Sequence, residues 1–290
     1  MKAEIEVLQP GLFSTIQDSG RFGFLKYGVP LSGNMDSYAS KMGNLILNNS
    51  VNSAVLEITQ MGPKLKFNAS AKVVITGADL SPEINKIPID NNIKYTINCG
   101  DVLSFGKRKS GCRAYLSIKN GFKISESLGS KSWYEGISDF SKLEKGMKLA
   151  FKSASSSFYA AHAAVKINSA YLFQKELHVF PGPEYSLLNV TEKKLLAVTE
   201  FSVDKKNNRM AIQLKESIDN NLSPIITGPV IPGTVQLTPS GSLIVLMRDC
   251  QTTGGYPRIL QLSDEAMNIL AQKVLGDKIF FKLDSTFIND

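Results

Sequence analysis

The sequence holds only two histidines, three cysteines and one tryptophan in 290 residues. His162 and His178 lie in different segments, and Cys99, Cys112 and Cys250 are odd in number and lack Cys-x-x-Cys spacing. Zinc sites draw on clustered Cys and His, so neither a structural zinc nor a His-rich metal site is expected. A Ser-His-Asp triad would have two distant histidines to choose from. Long apolar runs are also missing. The longest, Phe158 to Val165 and Leu243 to Met247, fall far short of the roughly 20 residues that cross a bilayer. Met1-Lys2-Ala3-Glu4 has charge but no apolar stretch behind it, so no signal peptide is expected. Free thiols without an export signal point to the cytoplasm. Basic runs are short. Lys+Arg exceed Asp+Glu by 33 − 26 = 7, giving a pI near 9.1, but the densest run is Lys107-Arg108-Lys109. That is too little for a nucleic-acid arm. It excludes a dedicated DNA binder and leaves room for weak contact with acidic partners.

What is present is ordinary globular composition, 43% hydrophobic and 20% charged. The chain can bury a core without staples, and at roughly 150 residues per domain it accommodates two. Strand signals dominate. Four segments share a turn glycine followed by an apolar residue two before a Phe: Gly62 to Phe67, Gly100 to Phe105, Gly146 to Phe151 and Gly276 to Phe281. Residues two apart share a strand face, so each unit reads as a turn leading into a half-buried strand. Further strands are expected at Lys72 to Ile75, Ala114 to Ile118, Glu176 to Phe180, Arg209 to Leu214 and Ser242 to Met247, with Met210, Ile212 and Leu214 on one face. The fold class expected is mainly β, barrels or sandwiches with few short helices.

Three helices are expected. One spans Ser263 to Val274, with Ser263 as cap and Asp264 and Glu265 in its first turn. A second runs from about Met35 to Leu47 behind Asn34 or Ser32. A third lies within Tyr185 to Ala197, in two pieces with Thr191 capping the second. Ser153 to Ser157 is the only low-complexity stretch and reads as a loop or linker. The domain boundary is placed at about residue 170, giving domains 1–170 and 171–290.

Two polar, glycine-rich clusters stand out. The first joins Thr15-Ile16-Gln17-Asp18-Ser19-Gly20-Arg21 to Gly28 through Asp36, including Ser32, Met35 and Asp36. Gln17 and Asp18 can hold an amide, and Arg21 offers a planar fork for a carboxylate. The same residues also suit a structural turn in which Asp18 caps and Arg21 pairs with it. The second cluster is Asp249-Cys250-Gln251-Thr252-Thr253-Gly254-Gly255-Tyr256-Pro257, directly after an apolar strand. Adjacent glycines permit positive φ and close backbone approach, and two Thr hydroxyls and the Gln251 amide crowd one spot, as in a site carried on a loop. A tight hairpin is the plainer alternative. The Lys-Ser/Thr of a P-loop is missing.

Other residues read more plainly. Cys250 is a partly buried bystander thiol unless a histidine reaches it. Asp79 caps a turn, Lys148 is a solvent-facing strand residue, and His178 points outward between apolar neighbours. Trp133 and Tyr134 are core or rim.

Pro10 through Arg21, Gly28 through Asp36, Leu56-Glu57-Ile58-Thr59 into Gly62-Pro63, and Val73 through Asp79 form an ordered set. It continues with Phe180-Pro181-Gly182-Pro183, Asn208-Arg209-Met210, Gly233 through Gln236, Pro239-Ser240-Gly241 and Gln251 through Pro257. In order and content these stretches resemble the biotin-dependent carboxyltransferase-like family, also described as the 5-oxoprolinase C-subunit, KipA-like or allophanate hydrolase subunit 2-like. The chain departs from that pattern at Cys250, where relatives commonly carry Arg or another residue, and at Ala211 and Lys215, where Gly and Glu are common.

The resemblance implies two cyclophilin-like β-barrel domains. It implies a sister subunit of the KipI or 5-oxoprolinase B-subunit type and a third partner of the A-subunit type. The activity implied is ATP-dependent opening of 5-oxoproline to glutamate, with ATP handled on a partner and this chain inactive alone. Two alternatives accompany it. One is transfer of a carboxyl group from carboxybiotin to a urea- or amide-like substrate. The other is a KipA-like regulator that antagonises a kinase inhibitor. The substrate-binding residues expected are Gln17, Asp18, Arg21, Ser32, Met35 and Asp36 in one cluster and Gln251, Thr252, Thr253, Gly254, Gly255 and Tyr256 in the other. Arg21 would take a carboxylate and the Gly254-Gly255 backbone an oxyanion.

Overall fold

A computed structural model describes residues 2–153 and 166–284. His162 and the Phe158 to Val165 run lie outside the described residues, as does most of the serine-rich stretch. Contacts divide the chain into two compact units, Met1–Arg21 with Ser32–Leu172 and Phe22–Leu31 with Phe173–Asp290. The grouping of Phe22–Leu31 with the later residues is not announced by any shift in composition.

The first unit contains β1 (Glu4–Gln9), β2 (Phe13–Gln17), α1 (Ser37–Ile46), β3 (Val55–Thr59), β4 (Lys64–Phe67), β5 (Ala71–Asp79), β6 (Pro82–Ile84), β7 (Ile87–Pro88), β8 (Tyr95–Ile97), β9 (Val102–Phe105), β10 (Ser110–Ile118) and β11 (Lys148–Ala150). They form two antiparallel sheets, β11-β1-β4-β9-β6-β7 and β2-β3-β10-β5-β8. One apolar core fills the space between them, with Ile5, Val7, Leu65, Phe67, Leu103 and Leu149 from the first sheet and Ile16, Leu56, Ile58, Val73, Ile75 and Leu116 from the second. Side chains two apart along each strand meet in that core, as face-to-face sheet packing requires.

The five-stranded sheet is buried on its other face as well, because α1 packs against β5 and β10. That is why β3 and β10 do not alternate between buried and exposed positions. The helix-side row carries Glu57, Tyr115 and Thr76, paired across neighbouring strands. α1 approaches closely at Gly43, where a Cβ would stand 2.5 Å from Ser117 Oγ. Thr76 Oγ1 donates to the Ala39 carbonyl at 2.7 Å.

The second unit contains β12 (Glu176–Pro181), α2 (Val190–Val198), β13 (Phe201–Asn207), β14 (Ala211–Ser217), β15 (Gly228–Pro229), β16 (Thr234–Leu237), β17 (Ser242–Leu246), β18 (Thr253–Gly254), β19 (Arg258–Leu262), α3 (Asp264–Ala271) and β20 (Lys278–Leu283). Seven strands close a barrel in the order β12-β19-β16-β17-β14-β13-β20, and β15 pairs separately with β18. β12 and β20 run parallel, and the other barrel pairs are antiparallel.

The mainly β expectation holds, with barrel closure in the second unit and two packed sheets in the first. All four glycine-to-phenylalanine units are turn-then-strand, and Leu65, Leu103, Leu149 and Ile279 are buried. Several local expectations are corrected. Asp36, not Asn34 or Ser32, caps α1 through the Ala39 amide at 2.9 Å. Asn189 rather than Thr191 caps α2, in a reciprocal box with Glu192. α3 stops at Ala271 because its last turn tightens, with Gln272 N donating to Ile269 O. β14 starts at Ala211, since Asn208 Oδ1 accepts from the Met210 and Ala211 amides in a turn. Met210 is therefore exposed instead of sharing the buried face of Ile212 and Leu214.

Candidate functional site

In the first unit Gln17, Asp18 and Arg21 turn inward, while Ser19 between them stays exposed. Asp18 sits just past the end of β2. Its Oδ1 accepts from Gly20 N at 2.9 Å, Ser130 Oγ at 2.6 Å and Ser132 Oγ at 2.7 Å, and its Oδ2 accepts from Lys131 N at 2.7 Å. Four donors saturate this carboxylate. Gln17, fully buried, donates to Thr15 Oγ1 and the Trp133 carbonyl and accepts from Gly33 N at 3.0 Å. Arg21 is also fully buried; Nε donates to Ser127 O at 3.2 Å and Nη2 to Ser132 O at 2.5 Å. The guanidinium thus holds the carbonyls of the 127–132 segment and does not present an open fork at the surface. Gly33, at φ 89°, lies so near the backbone of Gly20 that a Cβ would stand 2.9 Å from Gly20 N. Asn34 completes the weave, its backbone and side-chain nitrogens both donating to Asp18 O at 2.9 and 2.7 Å. Ser32 is buried at φ 55°.

Met35 and Asp36 continue into a second buried network on the helix-side face of the sheet. Met35 N donates to Glu57 Oε2 at 2.8 Å, which also accepts from Tyr115 Oη at 2.9 Å. Tyr115 Oη in turn accepts from Asp36 N at 2.8 Å. Burial, with the Glu57 and Asp36 carboxylates nearby, pushes the Tyr115 phenol well above its ordinary pKa, so it remains a donor. Tyr171 Oη donates to Asp36 Oδ2 at 2.5 Å, and Arg113 Nε lies 3.9 Å from Glu57 Oε1. Glu57, Tyr115, Tyr171, Ser130 and Ser132 were not among the expected site residues. A glutamate inside the apolar run Leu56-Glu57-Ile58 was the one signal of a buried polar partner.

In the second unit the Gln251 to Tyr256 loop is arranged the opposite way. Its backbone is pinned: Val230 N donates to Thr252 O at 3.1 Å, Ile225 N to Gly255 O at 2.9 Å, and Gly228 and Gly254 face each other in the β15–β18 ribbon. Its side chains stay accessible, with Gln251, Thr253 and Tyr256 exposed and Thr252 partly so. Neither Gly254 nor Gly255 takes a left-handed backbone, contrary to the reading from sequence. Glycine suits position 254 for another reason, since a Cβ would stand 2.4 Å from the buried Gln236 amide nitrogen and would force that side chain to shift.

Two ion pairs hold this loop from outside. Arg209 grips Asp249 with Nε to Oδ2 at 2.7 Å and Nη2 to Oδ1 at 3.1 Å. Arg258 grips Glu184 with Nε to Oε2 at 2.9 Å and Nη2 to Oε1 at 2.6 Å, while its Nη1 donates to Pro229 O at 2.8 Å. The Arg258 hydrogen bonds hold the Glu184 carboxyl below its usual pKa. Cys250 is buried, and burial together with the neighbouring Asp249 carboxylate pushes its thiol up to about 12. It is protonated at neutral pH, so it fits the bystander reading and not an activated nucleophile.

The plainer expectations fit too. Asp79 Oδ1 accepts from Ser81 N in a turn. His178 points outward between buried Leu177 and Val179, and Lys148 is exposed on β11. Trp133 is buried. Among the described residues no group of three or more His, Cys, Asp or Glu is placed to hold a metal, and no helix is long and apolar enough to cross a membrane.

Residues 27–283 match the family described as carboxyltransferase domain, subdomain A and B, and the chain belongs to that family. It is 28% identical over 283 residues to the 5-oxoprolinase C-subunit of Escherichia coli strain K12, covering 96% of this chain and 90% of that one. It is 40% identical over 130 residues to urea amidolyase of Lachancea kluyveri, covering 44% of this chain and 7% of the other. The Kluyveromyces lactis urea carboxylase structure superposes with a TM-score of 0.86 at 27% identity, over 97% of this chain and 27% of that one. The chain therefore spans about a quarter of that solved chain.

Proposed function

We propose that the chain is a non-autonomous subunit of an ATP-dependent 5-oxoprolinase that opens 5-oxoproline to glutamate, working in the cytoplasm. The observation that carries this reading is co-extension. The similarity to the 5-oxoprolinase C-subunit runs over nearly the whole of both chains, whereas the matches to urea amidolyase and urea carboxylase cover only 7% and 27% of those chains. The partners are then a sister chain of the B-subunit type and a third of the A-subunit type. The Gly254-Gly255 pair lacks the Lys-Ser/Thr of a P-loop, which supports ATP on a partner.

Within the chain the two clusters take different roles. Gln251, Thr252, Thr253 and Tyr256 face outward from a pinned backbone and are the groups to contact substrate. Gln17, Asp18, Arg21, Met35 and Asp36 shape the turn that carries Ser32, as positioning residues. This revises the role expected for Arg21, whose guanidinium donates to backbone carbonyls.

The test is glutamate formation from 5-oxoproline and ATP by the chain reconstituted with its neighbouring-gene partners. Turnover in the full mixture that disappears when this chain is omitted supports the reading. A well-formed complex without turnover overturns it.

The higher local identity to urea amidolyase favours carboxyl transfer as the second reading. The amide of Gln251 and the hydroxyls of Thr252 and Thr253 fit the C=O and N–H edges of a ureido ring. Carboxybiotin would supply the carboxyl group there. Abolition of activity by avidin separates this reading from the first.

A further inference from the structure

The Lys107-Arg108-Lys109 run has no part in either loop cluster. It lies at an end of the first unit where several turns meet. Leu12 N donates to Met61 O at 2.9 Å, tying the β1–β2 turn to the β3–β4 turn. Gln60, left-handed at φ 55°, donates its amide to Cys112 O at 2.9 Å. Gly106 N donates to the Leu80 and Ser81 carbonyls at 2.9 Å, and Ser81 Oγ donates to Lys107 O at 2.7 Å. These bonds fix the backbone on every side of a hollow of about 450 Å³.

The hollow has a definite chemical pattern. Its floor is the Phe105 ring, which lies over Gly62 so closely that a Cβ there would stand 2.3 Å from the ring. Its apolar lining is open to solvent at Met61, 60% exposed, and Leu12, 57% exposed, is tied to Met61 through its backbone. The lining also carries Lys107 and Arg108, both exposed. Lys109 is balanced by Asp79 at 3.6 Å. Lys107 and Arg108 meet no carboxylate within ion-pair distance among the described residues. Two cations without a carboxylate partner, of which Arg108 donates from Nη1 to Gly111 O at 3.2 Å, thus line one depression together with the exposed Met61.

We infer that this end of the first unit is a docking surface for an acidic, partly apolar segment of another protein. Carboxylates on the segment meet Lys107 and Arg108, and an apolar side chain enters over Phe105 beside Met61. The fixed turns lower the ordering cost of such an encounter, and exposed cations give it a salt-sensitive attraction. Nucleic acid fits less well. Its affinity grows with the number of phosphates neutralised, and only two cations here are unopposed. The inference does not depend on the 5-oxoprolinase reading.

The test is fluorescence anisotropy of the full chain with a labelled peptide of alternating Glu and Leu or Phe. A version with Lys for Glu and a labelled oligo-thymidine serve as competing probes. The acidic peptide is expected to bind saturably and more weakly as salt rises. Lys107→Glu with Arg108→Glu should weaken it about tenfold or more, and Met61→Asp should weaken it by a similar factor. Lys205→Glu with Lys206→Glu changes the net charge equally at exposed positions of the second unit and should leave binding within about twofold. Melting curves of each variant establish that it is folded. Absence of saturable binding by the acidic peptide overturns the proposal. So does equal weakening by both charge-reversal pairs, which would mean general attraction to a basic protein, and so does binding of the oligonucleotide in preference to the peptide.

Discussion

Gln17–Arg21 and Gln251–Tyr256 share a vocabulary of an amide, hydroxyls and glycine, and the fold uses it in opposite ways. In the first segment the side chains of Gln17, Asp18 and Arg21 are consumed, and Ser19 stays exposed. Asp18 is bonded by four donors, and Arg21 is sealed from solvent against two carbonyls. In the second the backbone is consumed by the segment 225–230 that includes β15, and the side chains remain outside. The reason lies in what surrounds each. The first follows β2, whose Ser14 to Gln17 positions are all buried, so a polar side chain there must find a protein partner. The second forms part of a two-stranded ribbon apart from the barrel sheet, where side chains need no such partner. Polar density near glycine therefore identifies an unusual turn, and burial decides whether that turn recognises a ligand or staples the chain.

The sharpest way to break this comparison is Asp18→Ala. It strips the common acceptor from four donors and should cost about 4 kcal/mol, lowering the melting temperature by roughly 10 °C. Arg21→Ala follows at about 3 kcal/mol, again read by thermal melting. A variant of either that melts like the parent would mean that these side chains are not structural.

Next come Gln251→Ala and Tyr256→Phe. Both should leave stability within about 0.5 kcal/mol while lowering turnover of the reconstituted complex about tenfold or more. Unchanged turnover would remove the second loop from the site. Acid titration probes the clamp that holds that loop. The Arg258 pairing depresses the Glu184 carboxyl, so its stabilisation is complete above the unfolded carboxylate value and fades as pH falls through the lower folded value. Glu184→Gln should show a shallower loss of stability in that acid window. The smallest effect concerns the thiols. Iodoacetamide should modify exposed Cys99 and leave buried Cys112 and Cys250 unmodified until the chain unfolds, as followed by mass spectrometry.

Much of the fold was legible because it rests on local rules. The glycine-then-Phe units placed β4, β9, β11 and β20 and named their buried faces, since a turn residue and a period of two are both written in the chain. Ser263 disclosed the start of α3 by the same logic. Asn189 could have been read from its Asn-x-x-Glu box with Glu192, and the preference for a threonine cap concealed it. The site was less legible because its meaning depends on residues far away in sequence. Nothing near Asp18 announces Ser130 and Ser132, more than a hundred positions later. Gly254 looked like a residue chosen for backbone freedom, whereas a side chain there would meet the buried amide of Gln236 and force it to shift.

The order in which the barrel closes bears on how the chain is made. β20 lies between β12 and β13, so the edges of both strands have no neighbour until Lys278–Leu283 has been synthesised. Throughout translation of the second unit those edges can pair with other nascent chains. Long-range pairing of this kind also folds slowly. A ribosome pausing before residue 278 would leave an open sheet prone to association, so yield in the cell should respond to translation speed over the codons leading to Lys278–Leu283 more than to that of the first unit.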